Sequence, residues 1–573
     1  MQYDLVIRGG LVVDGSGGKP FLADVAVQDG RIAAVAAGLG AGAEEIDAQG
    51  LIVTPGFVDI HTHYDGQVTW DERMRPSSAH GVTTAVIGNC GVGFAPCRPA
   101  QQDDLIRLME GVEDIPNPVL TEGLPWTWES FPEYLAWLDG RRYDLDVAAL
   151  VPHAALRVFV MGERGVKREP ATAADRAAMA ELLDEAMAAG AVGLGTSRTM
   201  FHRSSDGTNI ATFGAAEEEL GAFAEVLRRR DAGMLQVVTD FSDEEAEFAL
   251  LHRLALRAGR PVTFSLAEGT RDPVWRRTLQ RVLEANQAGA DITAQTLGRP
   301  VGALLGHGLT LHPFCTSPAY RALAGLPPAE KIARLREPAL RAEILENPGD
   351  PDPANAMTVM VRRFDLIFAL GAAPDYEPDA RSSLAARAEQ AGVSPLELAY
   401  DLLLENDGQS LLYLALANYP NGNLESTREM LTHPNVVFGL GDGGAHCGTI
   451  CDASYSTFAL THWVRDRAQG RLPLEAVIRQ MTSATARLVG LQDRGRIQPG
   501  YRADLNVIDL ERLQLLPPYI NHDLPAGGRR LLQQARGYAA TILAGQMVAR
   551  NDQPTPQLPG RLVRGGQKIS EPA

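Results

Sequence analysis

The chain opens on short runs in which apolar and polar residues alternate, broken by glycine turns. Between Tyr3 and Val35 the runs DLVIRGGLVVDG and ADVAVQDGRIAAVAA put every second side chain on one face, the period of a β-strand, with QDG as a hairpin turn. The same style returns in GYRADLNVIDL (Gly500–Leu510) and GYAATILAGQMVARNDQ (Gly537–Gln553). Residues 1–55 and 487–573 are therefore expected to build one small β-sandwich domain from both termini.

Between them, over residues 56–486, strand-like runs alternate with Ala-, Leu- and Glu-rich helical stretches, the pattern of βα units. The strands are VTTAVIGN, DVAALVPH, AGAVGLGTS, MLQVVTDF, PVTFSLAE, ADITAQT and NVVFGLGD; AADRAAMAELLDEAMAAG (Ala173–Gly190) typifies the helices. About seven or eight such units predict an α/β fold of the TIM-like (β/α)8 barrel type. A doubly wound sheet is the alternative that the pattern leaves open. From about 298 to 415 the rhythm loosens into Pro- and Arg-containing helical pieces, read as an insertion over the barrel mouth.

Size and charge narrow the function classes. At 573 residues the chain exceeds what one hydrophobic core holds. A net charge of -18 repels phosphate backbones and anionic lipid, so a small-molecule substrate is expected, without nucleic acid or membrane partners. The start does not read as a secretory signal, and no apolar run reaches spanning length. Five cysteines without paired spacing point away from a disulfide framework and toward the cytoplasm. Oligomeric state is left open.

The densest chemical signal is LIVTPGFVDIHTHYDG, a hydrophobic strand ending in His61-Thr62-His63. Side chains two apart on a strand face the same way, so both imidazoles can address one metal ion. A short His-x-His also arises by chance on surfaces. Here it closes a buried-type strand where a barrel delivers side chains to its C-terminal mouth. In VVFGLGDGGAH, Asp442 again ends a strand. Its carboxylate could ligate the cation, take a proton from bound water and pass it to a leaving amine; a loop aspartate capping the next helix is the plain alternative. Cys90, in VTTAVIGNCG, is a third strand-end candidate, as a thiolate ligand or as a small core residue.

Taken together, PGFVDIHTHYDG, HGVTTAVIGNCGVGFAP, AGAVGLGTS, FGLGDGGAH, SATARLVGL, GRIQPGYRADLNVID and PGRLVRGG resemble the amidohydrolase superfamily. GNCG, in place of a lysine-bearing strand, resembles its D-aminoacylase branch, the N-acyl-D-amino-acid deacylases. The resemblance implies a TIM-like barrel with a β-sandwich, and zinc-activated water cleaving an N-acyl amide. It assigns His61, His63 and Cys90 as metal ligands, with Asp442 as ligand and catalytic aspartate. The four lysines, Lys19, Lys167, Lys331 and Lys568, fall on no suitable strand, so a lysine-bridged metal pair is not expected.

The chain also departs from the branch. Where the deacylases complete a zinc site with two middle-strand histidines, VVTDFSDE and VTFSLAEG place Asp240 and Leu266. Asp240 as a replacement oxygen ligand is the alternative, and the simpler expectation is one zinc, or a similar divalent transition metal, instead of two. Glu268 stands where the branch has a substrate-binding lysine, and CGTICDASYST replaces its His-Pro-Arg. Arg198 and His202 in GTSRTMFHR, His153 in LVPHAALR, and Arg299 are the substrate-binding candidates; a structural ion pair for Arg198 and a core hydrogen bond for His153 are the alternatives.

Three functions are weighed: hydrolysis of a linear amide such as an N-acyl-D-amino acid, a cyclic amidase or deaminase of the same superfamily, and a ligand-binding barrel with impaired catalysis. Release of an amino acid or of ammonia separates the first two, and metal content separates both from the third.

Overall fold

A computed structural model of the chain describes residues 2–269, 274–352, 355 and 357–566; Lys568 lies outside them. The alternating runs at both ends fold as strands of one nine-stranded sheet. From the N-terminal end come β1 (Tyr3–Val12), β2 (Phe21–Gln28), β3 (Arg31–Ala36), β4 (Gly42–Asp47) and β5 (Ile52–Pro55). The C-terminal end supplies β18 (Leu505–Ile508), β23 (Tyr538–Leu543), β24 (Gln546–Arg550) and β25 (Gln553–Pro554). The two ends meet where β18 runs antiparallel to β5, Leu505 opposite Pro55 and Ile508 opposite Ile52. Ile7, Val25, Val53, Leu505, Val507 and Ile542 pack into one hydrophobic cluster of this sheet.

Between the ends lie parallel strands. β6 (Phe57–Asp59), β7 (Val82–Ile87) and β8 (Asp146–Ala149) form a three-stranded sheet. β9 (Val151–Pro152), β10 (Gly193–Ser197), β11 (Met234–Val238), β12 (Val262–Ser265), β13 (Ile292–Thr296) and β17 (Val436–Phe438) form a six-stranded one in the order β17-β13-β12-β11-β10-β9. Leu150 N–H donates to Ile87 O and Val192 N–H to Ala149 O, each at 2.9 Å, carrying pairing from one sheet to the other. At the opposite edges Thr62 and Gly443, just past β6 and β17, form a parallel bridge.

The connecting helices carry the signals that sequence alone suggests. Helix Ala173–Ala189 starts at Thr172, whose hydroxyl accepts from Asp175 N–H in a capping box, and ends at Gly190 with φ 109°. Helix Glu217–Arg230 begins on three glutamates and ends on three arginines, matching its dipole.

The segment between β13 and β17 forms its own three-stranded antiparallel sheet of β14 (Val301–Leu305), β15 (Ile367–Leu370) and β16 (Leu411–Ala417). With its helices it encloses a separate hydrophobic cluster that includes Leu305, Phe314, Leu335, Ile367 and Tyr400. It reaches the loop after β17 through Leu304 N–H to Thr449 O, 2.7 Å, and Thr310 N–H to Gly448 O, 3.1 Å. Two short ribbons, β19 (Gln514–Leu515) with β22 (Ala535–Arg536) and β20 (Tyr519–Asn521) with β21 (Arg530–Leu532), complete the strands. Among the described residues no helix is long and apolar enough to cross a membrane.

Candidate metal centre

His61 and His63 follow β6, where the chain stays extended and pairs with the loop after β17: His63 N–H donates to Gly443 O at 2.7 Å and Asp442 N–H to His61 O at 3.1 Å. That pairing sets the two imidazoles and Asp442 side by side although they are far apart in sequence. Cys90 arrives on a tight turn after β7. Asn89 Nδ2 ties this turn to Val86 O (2.8 Å) and Thr62 O (3.3 Å), and Cys90 N–H donates to Gln236 Oε1 at 2.9 Å. Gly88 opens the turn with φ 83°, and a Cβ there would lie 2.1 Å from Leu150 O, so no other residue fits.

One ligand atom each from His61, His63 and Cys90 lies within 4.8 Å of the others, all three residues buried. Cys90 Sγ is 3.3 Å from His61 Nε2 and 3.7 Å from His63 Nε2. Asp442 Oδ1 stands 3.5 Å from His61 Nε2 and 3.7 Å from His63 Nε2, and has no hydrogen-bond partner among the described residues. Cys90 (φ 57°), Asp442 (φ 48°) and the neighbouring His446 (φ 50°) all take left-handed backbone, strain of a kind that gathers at functional sites.

The electrostatics suit a cation. Burial lowers His61 to about 4, against a smaller opposing effect of Gln295, and lowers His63 well below its usual range, so both rings are neutral and can ligate. Burial likewise raises the Cys90 thiol well above its ordinary value, with Glu113, Asp442 and Asp65 adding repulsion. Asp442 is raised to about 6 by desolvation, opposed by His446. A thiol and carboxylates packed this closely ionise together only beside a cation. Two nitrogens, a sulfur and a carboxylate oxygen with unsatisfied atoms are a donor set suited to zinc.

Not every sequence candidate joins this cluster. His202 pairs its Nδ1 with Ser197 Oγ at 2.9 Å, and burial, with repulsion from His446 and His61, lowers it to about 3. His153 sits buried, bridging Thr196 Oγ1 (2.8 Å) and Glu219 Oε1 (2.7 Å). Arg198 grips both oxygens of Glu247 at 2.9 and 2.8 Å and donates to Ala215 O at 2.7 Å. Arg299 is buried on Asp452, Ser454 Oγ and Cys451 O, over the face of Tyr376. His153, Arg198 and Arg299 sit in scaffold pairs, with Arg299 Nε left buried and without a partner among the described residues.

Asp240 commits one oxygen to Thr199 Oγ1 and the other to Met200 N–H, 2.7 Å, in a loop turn. Leu266 is buried and apolar, and Glu268 is buried with Trp275 Nε1 3.4 Å from Oε1. Sequence reasoning missed Gln295, whose Oε1 is 3.0 Å from His61 Nδ1, as well as Gln236, His446 and Glu113. The two glutamines were detectable as lone amides inside apolar strands, since a buried amide needs partners. Glu113 ends the amphipathic helix Gln102–Glu113, and nothing local distinguishes it from a surface glutamate.

Comparison with known proteins adds independent findings. The sequence model of the Amidohydrolase family matches residues 44–549. An N-acyl-D-aspartate deacylase of Alcaligenes xylosoxydans xylosoxydans is 28% identical over 572 residues, spanning 99% of this chain and 96% of that protein. The solved N-acyl-D-glutamate deacylase of Bordetella bronchiseptica, complexed with zinc and a phosphonate inhibitor, superposes with TM-score 0.64 at 24% identity, covering 98% of this chain and 100% of that one. A solved D-aminoacylase, described by one-metal activation and second-metal attenuation of a binuclear centre, gives TM-score 0.63 at 23% identity over 98% and 100% of the two chains.

Proposed function

Since the chain belongs to the amidohydrolase family and is a metal-dependent hydrolase of C–N bonds, we propose that it hydrolyses the linear amide of an N-acyl-amino acid, the D-configured substrates of its relatives being the first to test. One observation carries this reading: His61, His63 and Cys90 present ligand atoms within 4.8 Å of one another, with Asp442 against both imidazoles. In this reading the parallel strands close as a (β/α)8 barrel, the Thr62–Gly443 bridge joining its first and last strands, and the centre lies at their C-terminal ends.

His61 Nε2, His63 Nε2, the Cys90 thiolate and Asp442 would hold one zinc ion. Bound there, zinc polarises an amide carbonyl and lowers the pKa of water. Gln295 accepts from His61 Nδ1–H and so keeps Nε2 free for that role. Asp442 takes the proton of the attacking water and returns it to the amine nitrogen as the C–N bond breaks, leaving a carboxylic acid and a free amino acid. No second ion is expected, because Leu266 offers no donor and both Asp240 oxygens are engaged. His202, whose pKa feels both His446 and His61, is the candidate to orient the substrate's carboxylate.

Protein purified without chelator should carry about one equivalent of zinc and release free amino acid from a panel of N-acyl-D-amino acids, and chelation should abolish that release. Zinc-loaded protein that cleaves none of the panel but frees ammonia from heterocycles would overturn the substrate assignment.

A further inference from the structure

Glu113 reaches the centre from the excursion between β7 and β8, at the end of helix Gln102–Glu113, and is 1% exposed. Its Oε1 lies 3.3 Å from His63 Nδ1 and its Oε2 3.6 Å from His446 Nε2. Neither Glu113 Oε1 nor His63 Nδ1 has another hydrogen-bond partner among the described residues. Buried polar atoms are paired in folded proteins, and these two, unpaired and 3.3 Å apart, need only a small rotation of either side chain to bring an Nδ1 hydrogen onto Oε1. That tautomer turns the Nε2 lone pair toward Cys90 Sγ and Asp442 Oδ1, both 3.7 Å away. His61 makes the corresponding bond in full, its Nδ1 3.0 Å from the Gln295 amide oxygen.

The helix end also grips the loop that bears Asp442. The Glu113 carbonyl accepts from His446 N–H, Asp114 Oδ2 accepts from Gly448 N–H at 3.2 Å, and Thr310 Oγ1 of the insertion lies 3.3 Å from the same oxygen.

We infer that Glu113 is a positioning residue of the centre: its carboxylate fixes the tautomer and orientation of His63 while anchoring His446. The inference rests on the reading that these residues hold a cation. It assigns the excursion a task beyond packing, since Glu113 links a ligand after the first parallel strand to the loop after the last.

Zinc affinity, measured by competition with a chromophoric chelator on purified protein, tests this in Glu113→Ala, Glu113→Asp and Glu113→Gln, with circular dichroism of the metal-free forms to establish folding. The alanine and aspartate variants should bind zinc about 10–100-fold more weakly, aspartate because its carboxylate falls short of Nδ1. Glutamine, with an acceptor oxygen at full reach as in Gln295, should recover most of that loss. Wild-type affinity in both the alanine and aspartate variants, or an equal loss in the glutamine variant, overturns the inference. Wild-type protein that binds no zinc defeats the metal reading instead, which keeps the two failures apart.

Discussion

Each histidine of the centre is held from behind by a different oxygen, an amide on His61 and a carboxylate on His63, while both Nε2 atoms face Asp442. At this scale Asp442 is the residue whose chemistry no neighbour duplicates. Burial lowers both His446 and His202, which disfavours their carrying a proton, and Glu113 meets His63 at Nδ1, on the far side of the ring from Nε2. Asp442→Asn keeps the size of the side chain but cannot carry a proton from water to the amine. The variant should lose about 10²–10⁴-fold in kcat/KM and remain folded. Steady-state kinetics with metal content determined in parallel reads this; activity within a few-fold of wild type at full metal occupancy would remove Asp442 from the proton path.

Between elements, buried charge does the holding. Glu219, in helix Glu217–Arg230, meets Arg157 at 2.6 Å and His153 at 2.7 Å, which pins the helix His153–Met161 against its neighbour. Burial alone would raise the Glu219 carboxyl, but His153 and Arg157 outweigh it and hold the value at about 2, below its ordinary 4.5. A folded-state value below the unfolded one means that this stabilisation is present above pH 4.5 and disappears as pH falls toward 2. Glu219→Gln leaves Arg157 buried without its counter-charge and should cost about 3–5 kcal/mol at neutral pH. The same substitution should flatten the stability loss between those two pH values. Urea unfolding at pH 7 and pH 3 measures both; equal stability of the two proteins at pH 7 would refute the argument.

For the whole molecule, the terminal sheet and the parallel strands are joined through Arg494, 2% exposed at its side chain, which pairs with Asp146 of β8 at 2.8 Å and with Asp493 at 3.0 Å. Arg502, just before β18, meets the same Asp146 at 3.0 Å. Asp146 opens β8, at its N-terminal end, whereas His61 follows the C-terminal end of β6, so the network should affect stability and not chemistry. Arg494→Met should lower the melting temperature by several degrees, the scale of losing one partner of a buried pair, and leave zinc affinity unchanged. Calorimetry and the chelator competition together check this, and a joint loss of both properties would mean that the base and the centre are coupled.

Much of this architecture was readable from local pattern. The two-residue period identified strands at both ends, the βα rhythm gave the parallel strands their place, and the parity of His61 and His63 put both rings on one side. Those signals are legible because strand geometry repeats over neighbouring residues. The cluster itself depends on pairing across the chain: His61 meets Gln295 across 234 positions, and Glu113 reaches His63 from a helix with no local mark. For Arg198 and His153 the sequence leaves substrate contact and structural pairing open, and only the folded chain places Glu247 and Glu219 beside them. Residue type and spacing determine which groups can do chemistry, whereas only the folded chain decides which are left with an unpaired atom facing the same small volume, because a long-range partner leaves no periodic trace in the sequence.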